Sequence, residues 1–183
     1  MSSRQKAEPP HAAFALTREV PKIGTVRIVE RGGSIIRFDL GPTAPFEPLA
    51  DAAEQKTALL ERAFAQLQEY LKGERQEFDL PLAPEGTPFQ RRVWDALVDI
   101  PYGQTRSYKQ LAEAANSPKG YRAVGMANNR NPIAVFIPCH RVIGADGSMV
   151  GYGGGLDIKV TLLQLEDCKL QETPTGWKLA KKP

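Results

Sequence analysis

The sequence predicts a two-part chain: an α/β N-terminal unit followed by a mainly α C-terminal unit containing a helix-turn-helix. Three observations predict it. Ile23 to Glu30 and Ser34 to Leu40 alternate apolar and polar residues, imperfectly, around Arg31-Gly-Gly33, as paired strands around a hairpin turn do. Leu59, Leu60, Ala63, Leu67, Tyr70 and Leu71 recur at helical spacing. Beyond Leu80-Pro-Leu-Ala-Pro-Glu-Gly86, a linker by composition, the apolar pattern is that of several short helices. These features divide the chain into residues 1–84, residues 85–172 and a flexible tail over 173–183.

Taken in order, residues 1 to about 15 form a polar, proline-containing leader that reads as disordered. Gly41 to Pro48 is a proline-rich loop, and Asp51 to Lys72 is a helix that Gly73 ends. Leu60, Phe64, Leu67 and Leu71 are its core positions, and nothing in this half carries chemistry. After the linker, Thr87 can cap a helix with Pro88 at its first position, and Phe89, Val93, Trp94 and Leu97 make its buried face. Pro101-Tyr-Gly103 is a turn. Ser107 can cap a helix from Tyr108 to Ala115, Asn116-Ser-Pro118 breaks it, and Tyr121 to Asn129 makes another. Two short helices around a short turn suit a helix-turn-helix, and equally suit simple helix packing. Small side chains at Ala123, Gly125 and Ala127 let the second helix lie close to another surface. Gly144-Ala-Asp-Gly147 is a turn. The glycines after Tyr152 permit close backbone approach to a ligand, or make a floppy loop. Leu156 to Leu170 is the last helix, with Glu166 on it, and Thr173 to Pro183 reads as a frayed tail.

The chain is organised around Asn131-Pro-Ile-Ala-Val-Phe-Ile-Pro-Cys-His-Arg-Val-Ile143. Ile133 to Ile137 is a short apolar run bounded by Pro132 and Pro138, which reads as a buried strand whose ladder stops at each proline. Cys139, His140 and Arg141 follow at its end. A lone cysteine is commonly a small buried hydrophobe. A thiolate beside a base is instead a nucleophile, and His140 is the histidine placed to serve it, because His11 lies in the polar leader. Cys168 reads as structural.

Composition narrows the classes. With 42% hydrophobic and 25% charged residues over 183 positions, the chain can bury a real core and is ordinary for a soluble protein. It has no apolar run near 18 residues and no signal-peptide core at its start, so a membrane partner is not expected. Two cysteines make no disulfide framework and suggest a reducing, cytoplasmic compartment. They also lack a C-x-x-C pair, so no zinc site is expected. The net charge of +3 is unevenly spread: Arg106, Lys109, Lys119, Arg122, Arg130 and Arg141 face a lone acid, Glu113, in that interval. Such asymmetry suits a nucleic-acid face, or an incidental solvated cluster.

Pro138-Cys-His-Arg-Val-Ile143 resembles the active-site signature of the O6-alkylguanine-DNA alkyltransferases, the methylated-DNA–protein-cysteine methyltransferases. Gly86-Thr-Pro-Phe-Gln-Arg-Arg-Val-Trp94, Ile100-Pro-Tyr-Gly-Gln-Thr-Arg-Ser-Tyr108, Arg122-Ala-Val-Gly125, Asn131-Pro132 and Gly151-Tyr-Gly-Gly-Gly-Leu156 are similar to that family too, and in its order. The motifs span Gly86 to Glu166, about half the chain; the first half is similar in general character only.

The resemblance implies a ribonuclease-H-like N-terminal domain and a winged-helix-like C-terminal domain. It implies a protein that flips O6-alkylguanine, and O4-alkylthymine, out of duplex DNA and moves the alkyl group to Cys139 in a single irreversible turnover. Residue by residue, it implies that His140 takes the thiol proton through a water, that Glu166 orients His140, that Asn131 braces the cysteine loop, and that Tyr108 donates toward guanine N3. Arg122 would fill the vacated stack, on a DNA-contacting helix with Ala123, Gly125, Ala127, Asn128 and Arg130. Carbonyls near Cys139 and Val142 would accept from the guanine amino group, beside Tyr152, Gly153 and Gly154. Gly153 stands where some relatives have serine, and Asn128 where some are more apolar. No cofactor is implied, zinc in some relatives finds no cysteine in this N-terminal half, and the partner is double-stranded DNA bound by a monomer. Two other classes compete: a non-catalytic damage-binding protein of the same fold, whose known examples replace the cysteine, and a cysteine hydrolase, which would want a histidine remote in sequence.

Overall fold

The computed structural model describes residues 12–41, 49 and 51–180. The expected loop over Gly41 to Pro48 lies outside the described residues, apart from Gly41 itself, as does most of the leader.

Alternation in the first half builds a sheet of order β3-β2-β1-β4. Its strands are β1 (Ala13–Val20), β2 (Gly24–Arg31), β3 (Ser34–Leu40) and β4 (Ala52–Glu54). β1, β2 and β3 are antiparallel neighbours, and β4 runs parallel to β1, so the sheet is mixed. Gly32 and Gly33 both take positive φ, 59° and 77°, which is the backbone a two-residue hairpin turn demands. Two expectations fail here. Ala13–Ala15 belongs to β1 and not to a disordered leader. Ala52–Glu54 pairs with Ala13–Ala15, so the helix does not begin at Asp51. It begins where Thr57 accepts a hydrogen bond from the Leu60 amide, as α1 (Ala58–Leu71). Leu60, Ala63, Phe64, Leu67 and Tyr70 of α1 are fully buried against Leu16, Val26, Ile28, Ile35 and Phe38 of the sheet.

The linker is not free. Ile35 of β3 donates to the Pro81 carbonyl and accepts from the Ala83 amide, at 2.8 Å each. Further along the same edge, the Phe38 amide donates to the Pro132 carbonyl at 2.8 Å. The outer edge of β3 is therefore covered by the linker and by the cysteine loop, which pins the two halves together.

In the second half, α2 (Pro88–Val98) has the predicted Thr87 cap, completed by Gln90 as a capping box. Trp94 is buried, and its indole donates to the Ala127 carbonyl at 2.9 Å. A short parallel pair, β5 (Arg106–Ser107) with β6 (Val142–Ile143), brackets α3 (Tyr108–Ala114) and α4 (Tyr121–Asn129). Ser107 and Gln110 form another capping box at α3. The last helix, α5 (Leu156–Leu165), stops earlier than expected: Asp167 takes φ 58°, Cys168 N–H reaches the Leu163 carbonyl and Asp167 N–H the Gln164 carbonyl. This is a Schellman ending without its usual glycine. The expected frayed tail is also corrected. β7 (Leu170–Thr173) and β8 (Gly176–Leu179) form an antiparallel hairpin. Trp177 and Leu179 pack it against Ile143, Met149, Val160, Leu163 and Cys168, so burial of apolar area holds the segment down.

Candidate active site

Ile133 to Ile137 is buried but is not a strand. Phe136 N–H reaches the Ala134 carbonyl and Ile137 N–H the Ile133 carbonyl, both at 2.9 Å, so the run folds into a tight turn. Val135 takes φ 71° at its apex, a costly backbone for a β-branched residue. Asn131 clamps both ends: its side-chain amide donates to the Ile137 carbonyl at 2.8 Å, and its oxygen accepts from Ile133 N–H at 3.0 Å. The loop then enters a single 3-10 turn, Cys139–Arg141, which delivers three buried reactive side chains in succession.

Two of them, His140 and Arg141, meet Glu166 at the C-cap of α5. Glu166 is 1% exposed, and so is not the solvated helix-face glutamate that its place in the sequence suggests. Its Oε1 lies 2.8 Å from His140 Nε2. Arg141 donates from Nε to Oε2 and from Nη2 to Oε1, each at 2.9 Å, and from Nη1 to the Ile100 carbonyl. Gly103 N–H donates to Oε2 at 3.2 Å, and Tyr70 O–H to Oε1 at 2.6 Å. Burial alone would raise the Glu166 carboxyl; hydrogen bonds and charge from His140 and Arg141 outweigh it and hold the group at about 2. An ionised carboxylate only accepts, so the neutral imidazole carries its proton on Nε2 and keeps a lone pair on Nδ1. That Nδ1 is buried and has no hydrogen-bond partner among the described residues. Burial lowers the His140 pKa in spite of Glu166, so the ring is neutral near pH 7 and able to act as a base.

Cys139 is also buried. Burial pushes its thiol up, while a hydrogen bond from Asn131 and the charge of Lys159 pull it down. The resting group is therefore a thiol that needs a base. Lys159 is fully buried on α5 and donates to the Val142 carbonyl at 2.6 Å and the Val150 carbonyl at 2.8 Å. Burial lowers its pKa to about 8, and Cys139 opposes that shift. The Val142 carbonyl, expected to be open to a guanine amino group, thus already accepts from an ammonium.

A cavity opens beside Cys139, lined by Asn128, Asn131, Tyr152, Gly153 and Gly154 and, from β3, by Phe38, Asp39 and Leu40. Tyr108 sits at the start of α3, where its hydroxyl donates to the Val150 carbonyl at 3.3 Å. Burial raises its pKa, and the nearby Cys139 adds to the rise, so it stays a proton donor. On α4, Arg122 and Ala123 are exposed and Gly125 is half-exposed, and Arg130 at its C-cap is exposed. Ala127 and Asn128 are buried, contrary to a surface DNA contact: Ala127 faces Trp94, and Asn128 faces the cavity. Exposed Tyr121 and Met126 share the open face of α4. Arg141 leaves the basic surface cluster, since its charge is spent on Glu166. Among the described residues, no group of three or more His, Cys, Asp and Glu side chains is placed to hold a metal.

Sequence reasoning missed Tyr70 and Lys159 as members of the site, and it counted Arg141 with the basic surface and not as the partner of Glu166. Tyr70 carried only a helical core signal. Lys159 carried a weak one, a lysine on the inward face between Ile158 and Val160.

An α/β domain joined to a helical domain, with Cys139, His140 and Glu166 buried beside a cavity that opens next to α4, defines a two-domain protein built around a buried thiol and an imidazole–carboxylate pair. Comparison with known proteins is specific. The 6-O-methylguanine DNA methyltransferase DNA binding domain matches residues 88–168, and the ribonuclease-like domain of the same proteins matches residues 21–84. A methylated-DNA–protein-cysteine methyltransferase of Methanosarcina barkeri is 57% identical over 122 residues, 67% of this chain and 77% of its own length. The constitutive one of Bacillus subtilis is 49% identical over 163 residues, 87% of this chain and 98% of its own. A crystal structure of a Mycobacterium tuberculosis OGT in complex with DNA superposes with a TM-score of 0.77 at 41% identity, covering 84% of this chain and 92% of that one. The chain belongs to the methylated-DNA–protein-cysteine methyltransferase family, with its ribonuclease-like N-terminal domain and helical DNA-binding C-terminal domain.

Proposed function

We propose that this protein repairs DNA by taking the alkyl group of O6-alkylguanine onto Cys139. The observation that carries the residue assignment is the buried thiol followed directly by an imidazole whose Nε2–H is held by an ionised Glu166. The thiol proton passes to His140 Nδ1 through a bridging water. The sulfur attacks the alkyl carbon in line with the C–O6 bond, the S–C bond forms, and the electron pair leaves with guanine O6. Tyr108 donates toward guanine N3 and offsets the charge on the leaving base. The product thioether has no internal route back to the thiol, so each molecule acts once.

The target atom is stacked inside duplex DNA, and the nucleotide must come out. The exposed face of α4, with Arg122 beside Ala123 and Gly125 and Arg130 at its C-cap, suits close approach to the duplex, and Arg122 would enter the gap. Tyr152, Gly153 and Gly154 line the cavity that would receive the base. O4-alkylthymine is a second expected lesion. On this reading the protein acts as a monomer, without a cofactor, in a reducing cell interior.

Incubation with an O6-methylguanine duplex followed by intact-protein mass spectrometry tests this reading. The expected result is one methyl adduct per molecule, mapped to Cys139, and none with Cys139→Ser. An unchanged mass together with tight lesion binding would favour the non-catalytic damage-binding reading. An adduct that maps to Cys168 would overturn the assignment.

A further inference from the structure

We infer that Tyr70, contributed by the N-terminal domain, is a positioning residue for the alkyl-transfer centre. The inference deepens the relay proposed above and rests on it. Tyr70 lies on α1, two residues before the helix C-cap, and is fully buried. Its hydroxyl donates to Glu166 Oε1 at 2.6 Å and stands 3.4 Å from His140 Nε2, while those two atoms are 2.8 Å apart. The three polar atoms close a triangle around the proton that fixes the imidazole tautomer. Arg141 binds both carboxylate oxygens, which sets the plane of the carboxylate. Tyr70 adds a further donor on Oε1, the oxygen that also holds His140 Nε2–H.

The phenol is suited to this work. Burial, and then the charge of Glu166, pushes its pKa far up, so it remains a donor while the centre turns over. It keeps the carboxylate charged and in place without competing for the thiol proton. A buried tyrosine that served packing alone would not need its hydroxyl on the single carboxylate that orients the base. The same bond crosses the domain boundary, so the reactivity of the C-terminal thiol depends on the N-terminal domain being docked. The cover that β3 gives the cysteine loop at Phe38 and Pro132 holds the two domains in that register.

The test is the rate of reaction with free O6-benzylguanine from pH 6.5 to 9.5, for wild type, Tyr70→Phe, Tyr70→Met and His140→Ala. Free base removes DNA binding and flipping from the measurement. Tyr70→Phe should react about tenfold more slowly near pH 7. The loss should shrink as pH rises through the titration of the thiol, where hydroxide replaces the relay. Tyr70→Met, which fills the space without a hydroxyl, should show the same pH-dependent loss. The ¹⁵N shifts of the His140 ring in folded Tyr70→Phe should report a smaller share of the Nε2–H tautomer. A loss of equal size at every pH, or no loss, overturns the inference and leaves Tyr70 a packing residue. If His140→Ala keeps the wild-type profile, the relay itself fails. If His140→Ala shows the pH-dependent loss and the Tyr70 variants do not, only the role of Tyr70 fails.

Discussion

Glu166→Gln removes one charge from a position where five donor groups converge. Tyr70, His140 and Arg141 Nη2 reach Oε1, and Arg141 Nε and Gly103 N–H reach Oε2. Glutamine keeps one acceptor oxygen and turns an amide NH₂ toward donors. It also leaves the Arg141 guanidinium, nearly buried, without its counter-ion. Breaking such a buried pair from one side costs about 3–5 kcal/mol. The same contacts set a pH dependence. The folded carboxyl sits at about 2 against an ordinary 4.5, which corresponds to roughly 3 kcal/mol of linked stability. Because the folded value is depressed, this stability is fully present above pH 4.5 and is lost as pH falls toward 2. About 2 kcal/mol of it should be gone by pH 3. The assay is urea unfolding of wild type and Glu166→Gln at pH 7, 5, 4 and 3, followed by tryptophan fluorescence. The variant should be less stable by about 3 kcal/mol or more at pH 7, with the gap narrowing in acid. A difference below ~1 kcal/mol at pH 7, or a gap that is the same at pH 3 as at pH 7, would refute the claim that a charged Glu166 ties the centre together.

Two further outcomes are expected. Arg122→Ala should react with free O6-benzylguanine near the wild-type rate and repair duplex DNA slowly, with part of the defect recovered when the lesion sits opposite an abasic site, since extrusion otherwise costs a few kcal/mol. Equal loss on both substrates would place Arg122 in the pocket instead. Trp177→Ala should lower stability by about 2 kcal/mol, measured by urea unfolding at pH 7, because the half-buried ring closes the second apolar cluster over Ile143, Val160 and Leu163; an unchanged midpoint would mean that the C-terminal hairpin contributes nothing to the fold.

Local chemistry settled much of this protein from the sequence alone. Caps are short-range devices, so Thr87 and Ser107 located the starts of α2 and α3. Gly73 and Asn116 marked helix ends because their φ values of 79° and 54° suit those residues. The sequence also determined the reactive order Cys139-His140-Arg141 and the small, basic surface of α4. Other features depended on partners distant in the chain. Asp167 ends α5 by the same geometry as Gly73, but aspartate signals that backbone far more weakly than glycine, and the apolar spacing continues to Leu170. Ala52–Glu54 looked helical until β1 offered its edge. The run from Ile133 to Ile137 looked like a strand because burial and apolar content do not distinguish a strand from a tight turn; Asn131 decided between them by tying its ends. Tyr70 lies 96 positions from Glu166, and at its own place in α1 it is one more apolar face residue. Only the docking of α1 against the C-terminal domain makes its hydroxyl a partner of the carboxylate, because a hydrogen bond requires two groups in space and the chain specifies each alone.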